Sequence, residues 1–439
     1  MNTIKIKDAL IKTFSSMLRT TESLSIGAEI ENLIYDKDFN RIPANSGEGF
    51  STPDLRENIE TIHSYNDIKP SLSIEPGGQI EFASRPYAQL KRLDNEVKKY
   101  VKSLLIIAEE KNLILSDLAI EPIIDSNTIN IINQKKYKLM HKYFCDTGRF
   151  GHEMMLNSAS IQINLDYTSL EQASKMAFIG DCLHPITSLI FSNAPFFRGK
   201  PSGRKNIREI VWRNTDPARS NCLLDHNISD IKTIVDDFVD YVLKTPVIFI
   251  SDQDGFIGTF AGNLGNWLSS IESHRNIKTT DVMIALRQIF TQVRFKHILE
   301  IRGADRLPFG YEIAPAAFFK GILRSPQIFD TVLSICKSWS SSQRNMLNAT
   351  ASTLNYNYNV FDGIKIKKLC EKFLLLAMDG LTTFDEGEFL EPFAENFLNE
   401  GSFSLSIQKQ FRKSGKDVKK FLFDRWSDQK DFLFDHTKN

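Results

Sequence analysis

The chain has 439 residues, 42% of them hydrophobic and 25% charged, and its 54 basic and 54 acidic residues cancel. This is an ordinary globular balance with ample apolar material for a large core, and zero net charge argues against a general nucleic-acid binder. Five scattered cysteines (Cys145, Cys182, Cys222, Cys336, Cys370) include no CxxC pair, so a zinc ribbon and a dense disulfide framework are excluded and a cytoplasmic compartment is expected.

No stretch approaches the roughly 18 apolar residues that span a bilayer, so no membrane partner is expected. The N-terminus, MNTIKIKDALIK, lacks the apolar block of a signal peptide. Its apolar positions Ile4, Ala9, Leu10, Phe14, Met17 and Leu18 fit an amphipathic helix. Helical periodicity follows over residues 87–111, 169–192, 230–243, 280–290 and 360–379. Residues 116–133 are expected to be irregular. No repeat or linker divides the chain, which predicts one catalytic-size domain over 1–439, with 381–439 as a helical C-terminal extension.

Four strands carry the chemistry. Over residues 24–35, Ser25, Gly27, Glu29 and Glu31 alternate with Ile26, Ala28 and Ile30. Over 72–84, Gln79 and Glu81 oppose Ile80 and Phe82, and Glu75 precedes a Pro-Gly-Gly bulge or bend. Over 158–166, Ser158, Ser160, Gln162, Asn164 and Asp166 alternate with Ala159, Ile161, Ile163 and Leu165. Over 293–302, Arg294, Lys296, Glu300 and Arg302 alternate with Val293, Phe295, His297, Leu299 and Ile301. Period two means one face in the core and one outside it. A solvated face carries Lys, Thr, Arg and Glu interchangeably; here one face offers only short amide, hydroxyl and carboxylate groups, another paired carboxylates, and the fourth alternating cations and a carboxylate, with Ile298 its one apolar residue. Two carboxylates at i and i+2 stand roughly 7 Å apart on one face. Together the faces predict a cup: acidic on one side, cationic on another, amide-lined between. The expected fold is α+β, a largely antiparallel curved sheet forming a funnel, with helices on its apolar outer face.

Clustered carboxylates suit a hard cation such as Mg²⁺, and the cations suit phosphate oxygens. The candidate metal ligands are Glu29, Glu31, Glu75, Glu81 and Glu300. No GxxxxGK[ST], GxGxxG, GxSxG or HExxH is present. The eight histidines show no metal-ligand spacing and are expected to be structural or superficial. Residues 193–219 (NAPFFRGKPSGRKNIREIVWRNTDPAR) are rich in Arg and turn residues. Arg208 and Trp212 fall at i and i+4, where an Arg beside an aromatic wall could clamp a carboxylate.

These motifs resemble the plant-type glutamate–cysteine ligases. The matching stretches are IGAEIE (26–31), SIEPGGQIEFAS (73–84), MMLNSASIQINLDY (154–167), SNAPFFRGKPSG (192–203), REIVWRNTDPAR (208–219), DFVDYVL (237–243) and RFKHILEIRGAD (294–305), in the family's order. The resemblance implies an ATP-dependent carboxylate–amine ligase that phosphorylates the γ-carboxylate of glutamate and lets cysteine attack it, for glutathione synthesis. It implies Mg²⁺ on Glu29, Glu31, Glu75 and Glu81, with Gln162 and Glu300 as further ligands. It implies a glutamate pocket of Arg208, Trp212 and Tyr241. Arg294, Lys296, Arg302 and Asn164 would face the nucleotide, with Arg302, Glu300 and Lys296 as the catalytic group. Met154, Met155 and Ser158 would line the amino-acid side. Partners would be small molecules (glutamate, cysteine or another amine, ATP), and the protein a monomer or homodimer. The family reads IGTEHE where this chain reads IGAEIE, and Arg-Thr-Cys-Thr where it reads Asn157 to Ser160. The alternative is therefore a γ-glutamyl or related ligase with another amine acceptor or carboxylate donor. A non-catalytic relative would have lost the four glutamates; all four are present.

Overall fold

A computed structural model describes residues 2–47, 49–64, 70–252 and 255–436. Seven strands form the main sheet: β1 (Ile26–Tyr35), β2 (Ser71–Ile74), β3 (Ile80–Ala83), β4 (Ile114–Ser116), β5 (Ser160–Leu165), β6 (Val293–Phe295) and β7 (Leu299–Asp305). Their order is β6-β7-β5-β1-β3-β2, with β4 also paired to β1, and every pairing is antiparallel. The helices that matter here are α1 (Asn2–Phe14), α2 (Leu90–Lys111), α3 (Lys135–Asp146), α4 (Gly151–Asn157), α5 (Leu170–Ile190), α6 (Ile207–Arg213), α7 (Ile234–Lys244), α8 (Ala314–Arg324), α9 (Ile366–Thr382) and α10 (Val418–His436).

Period-two alternation decides which face takes the helices. Ile26, Ala28 and Ile30 on β1, Ile80 and Phe82 on β3, and Ile161, Ile163 and Leu165 on β5 are all buried. Phe82 stacks on Tyr100 of α2 with ring centroids 4.5 Å apart. Gly180 of α5 approaches Val293 and Ile301 closely. Phe14 of α1 meets Phe295 at 5.7 Å. The buried apolar side chains form one contiguous cluster running from Ile6 to Trp426. Where α8 crosses α9, Gly321 and Gly380 meet backbone to backbone. A Cβ on Gly321 would stand 2.1 Å from the Ala377 carbonyl oxygen, so the crossing requires glycine.

Helix starts differ from the periodicity where local hydrogen bonds win. The apolar pattern begins at residue 230, but α7 begins at Ile234. Asp230 accepts from the Lys232 and Thr233 amides and holds a turn instead. The pattern from 360 yields a 3₁₀ turn at Phe361–Gly363, with Asp362 at φ 57°, before α9 starts at Ile366. The C-terminal segment is helical, and α10 is tied to the end of β4: Arg425 grips Asp117 with two bonds of 2.6 and 2.7 Å.

Candidate active site

Residues 72–84 do not form one bent strand. Pro76, Gly77 and Gly78 reverse the chain, and β2 and β3 pair as a hairpin with Ile74 opposite Ile80. The Glu75 amide donates to the Gln79 carbonyl, and Gly78 takes φ +82°. Gly77 packs against α4 so closely that a Cβ would lie 2.3 Å from the Leu156 carbonyl oxygen. Gln79 donates to the Ser158 carbonyl at 2.9 Å and Arg41 to the Gly77 carbonyl at 2.8 Å, which fixes the turn from both sides. The reversal brings Glu75 beside Glu81, close enough for each carboxyl to act on the protonation of the other.

On β1, Glu31 lies directly opposite Glu81 of β3, while Glu29 lies opposite Gln162 of β5. Glu31 accepts from the Ser160 amide (2.7 Å), its hydroxyl (3.1 Å) and Gln162 (3.1 Å). Glu29 accepts from Asn164 at 2.8 Å, and Glu81 from Ser73 at 2.6 Å. Burial, then the charge of Glu75, pushes the Glu31 pKa up to about 7. Burial, then Glu75, Glu29 and Glu31, pushes Glu81 well above the carboxylate range. Burial likewise raises Glu75.

The opposite edge is cationic. Glu300 of β7 is fully buried and anchors Arg294 through Nε at 2.5 Å, Lys296 at contact distance, and Arg302 at 3.8 Å. Burial would raise the Glu300 carboxyl, but Arg294, Lys296 and Arg302 outweigh it and hold it well below the usual range. Arg302 also donates to Gln162 at 2.5 Å, linking the cations to the amide strand. Burial, then Arg294, lowers its pKa to about 10.

Arg208 and Trp212 lie on α6, one turn apart, beneath β7. Arg208 donates to the carbonyls of Arg302 (3.1 Å) and Gly303 (3.3 Å) and pairs with Asp305 at 3.5 Å. The guanidinium groups of Arg208 and Arg302 lie 5.7 and 5.8 Å from the Trp212 ring. The ring of Tyr241 on α7 packs on His226 at 4.2 Å and Phe238 at 6.0 Å. Met154 and Met155 are buried on α4, and Ser158 is turned back onto the Met154 carbonyl at 2.6 Å.

Several groups near the cup carried no sequence signal. Lys136 and Tyr137 of α3 feel the charges of Glu75 and Glu81, and Arg287 acts on both. Asp305, the partner of Arg208, is raised to about 6 by burial. Sequence spacing could not find Lys136 or Arg287, because each nears the site only through tertiary packing, Lys136 on α3 and Arg287 just past the helix Thr279–Leu286.

Four buried polar atoms at this site, Asn164 Oδ1, Arg208 Nε, Trp212 Nε1 and Arg302 Nε, have no hydrogen-bond partner among the described residues. Buried polar atoms are normally satisfied, so their convergence marks a place for a polar ligand. The carboxylates are oxygen donors of the kind Mg²⁺ takes, but no three of them have ligand atoms within 4.8 Å of one another. Across β6-β7-β5-β1-β3-β2 the lining runs from cations through amides to carboxylates. Such a lining can hold polyanions at its cationic edge and cations at its acidic one.

A sequence model of glutamate-cysteine ligase family 2 matches residues 25–358, and the chain belongs to this family. It is 29% identical over 404 residues to the chloroplastic glutamate–cysteine ligase of Medicago truncatula, covering 89% of this chain and 78% of that one. It is 30% identical over 321 residues to the chloroplastic enzyme of Arabidopsis thaliana, covering 71% of this chain and 60% of that one. The structure of glutamate–cysteine ligase from Francisella tularensis in complex with AMP shares the fold. Its TM-score is 0.58 at 14% identity, over 93% of this chain and 89% of that chain. One expectation is corrected. The cytoplasmic compartment inferred from cysteine usage is overturned by these relatives, which are named chloroplastic. Cysteine spacing reports redox conditions, and a reducing interior is not unique to the cytosol.

Proposed function

We propose that the cup joins the γ-carboxylate of L-glutamate to the amine of L-cysteine at the expense of ATP, giving γ-glutamylcysteine, ADP and phosphate. The observation that carries this reading is the ordered lining of the sheet, cations at one edge and carboxylates at the other, with the orphaned polar atoms between them. Arg208, Trp212 and Tyr241 form the glutamate pocket. Met154, Met155 and Ser158 face the acceptor amino acid. Arg294, Lys296, Arg302 and Asn164 face the nucleotide. Arg302 and Lys296 stabilise charge on the transferring phosphoryl group, and Glu300 holds both in place.

Glu29, Glu31, Glu75 and Glu81, with Gln162 and Glu300 as further ligands, would hold Mg²⁺, which would offset the repulsion between carboxylate and polyphosphate. In the first step a γ-carboxylate oxygen bonds to the γ-phosphorus and the bond to ADP breaks. In the second the neutral amine attacks the acyl carbon, phosphate leaves, and the nitrogen loses a proton. The test is ADP release with ATP, Mg²⁺ and L-glutamate, adding cysteine and then other amines singly. Cysteine-dependent release with a γ-glutamylcysteine mass supports the reading; release with another amine alone keeps the ligase chemistry and replaces the acceptor.

A further inference from the structure

Two histidines expected to be structural or superficial and one of the scattered cysteines come together in the fold. His141 and Cys145 fall at i and i+4 on α3, one turn apart on a single face. His152, the second residue of α4, closes onto them across residues 147–150. The His141 and His152 rings are stacked with centroids 4.0 Å apart and planes within 6°. Cys145 Sγ lies 3.8 Å from His152 Nε2. One ligand atom from each of the three lies within 4.8 Å of the others, the one such trio of His, Cys, Asp or Glu among the described residues.

We propose that His141, Cys145 and His152 form a second metal site, distinct from the carboxylate cup, that takes a borderline divalent transition metal of the Zn²⁺ class. The donor set of two imidazoles and a thiolate excludes Mg²⁺ and suits Zn²⁺, with the fourth position open to water. Bond lengths of about 2.1 Å to nitrogen and 2.3 Å to sulfur place tetrahedral N and S ligands about 3.6 Å apart. The observed 3.8 Å is near that separation. Cys145 is exposed, so it can rotate to adjust, and its thiol can reach a metal from solvent. His152 Nε2 now contacts the His141 carbonyl at 3.0 Å, a bond that a metal would exchange for coordination.

The site's position gives it a consequence. Tyr137, His141 and Cys145 run along one stripe of α3 at four-residue steps, and Lys136 and Tyr137 at its start sense Glu75 and Glu81. His152 opens the helix that carries Met154 and Met155. A metal there would clip together the two helices that wall the acidic end of the cup.

The experiment is titration of metal-free protein with Co²⁺, a spectroscopic stand-in for Zn²⁺, followed by Zn²⁺ competition. The expected result is a near-ultraviolet thiolate-to-cobalt band that saturates at one equivalent and is bleached by Zn²⁺. Cys145→Ser abolishes the band, and His141→Ala weakens Co²⁺ binding at least tenfold. Zn²⁺ raises the melting temperature of the native protein and not that of Cys145→Ser. Glu31→Gln, in the cup, leaves the band in place, which separates the two sites. No band in the native chain, or a band that survives Cys145→Ser, overturns the proposal whether or not the protein proves to be a ligase.

Discussion

Glu31 and Glu81 are direct cross-strand partners on β1 and β3, two carboxylates face to face in the half-buried floor of the cup. Like charges so placed are destabilising, and no structural need calls for them. Their hydrogen bonds from Ser160, Gln162 and Ser73 orient the carboxylates without neutralising them.

Glu31→Gln should therefore separate stability from function. With its pKa raised from 4.5 to about 7, the folded protein favours the protonated form. Stability from this group is full below pH 4.5 and is lost as pH rises through about 7, because the native state binds more protons than the unfolded one. Without added metal, the variant should be more stable than the native chain at pH 8, by about 1 kcal/mol or more, and equal to it near pH 4. Turnover with Mg²⁺ should vanish. Thermal melts across pH, paired with ADP release, check both; unchanged turnover would remove Glu31 from the metal.

Glu300 has the opposite character. It is one buried anion serving three cations, so Glu300→Ala leaves Arg294 and Lys296 buried and mutually repelling. A loss of about 3–5 kcal/mol is expected in urea unfolding at neutral pH. With its carboxyl held low, the native contribution is present above the ordinary glutamate range and is lost as pH falls below it. The deficit of the variant should thus shrink in acid, and a deficit independent of pH would contradict the pairing.

Arg208→Ala should raise the KM for glutamate about 30-fold, the equivalent of about 2 kcal/mol for a lost charged contact. Arg208→Lys keeps the charge but loses the fork that bonds two carbonyls and the face set against Trp212, and should recover only part of it. Steady-state kinetics with glutamate varied measure both. A normal KM in the alanine variant would assign Arg208 to bracing Asp305 and the Arg302 and Gly303 carbonyls.

Gly77→Ala tests the hairpin. Its Cβ would meet the Leu156 carbonyl at 2.3 Å, so turn and helix must separate. Destabilisation of about 1–3 kcal/mol is expected, with weaker Mg²⁺ dependence of turnover because Glu75 moves away from Glu81. Magnesium titration of the rate reads the second effect; wild-type Mg²⁺ dependence would show that the turn does not position Glu75.

Much of the molecule was legible in the chain. Period-two alternation placed Glu29, Glu31, Gln162, Asn164 and Arg302 on polar strand faces because a pleated strand turns successive side chains to opposite sides, whatever it packs against. The motif order fixed the family. Strand order, the reversal at Gly77 and Gly78, the juxtaposition of Glu75 and Glu81, and the approach of Lys136 to them were decided only in three dimensions. So were the commitment of Glu300 to Arg294 and Lys296, the packing of Tyr241 on His226 and Phe238, and the meeting of His152 with His141 and Cys145. Each of these depends on which elements pack side by side, and that is set by burial of the whole apolar cluster rather than by any local pattern.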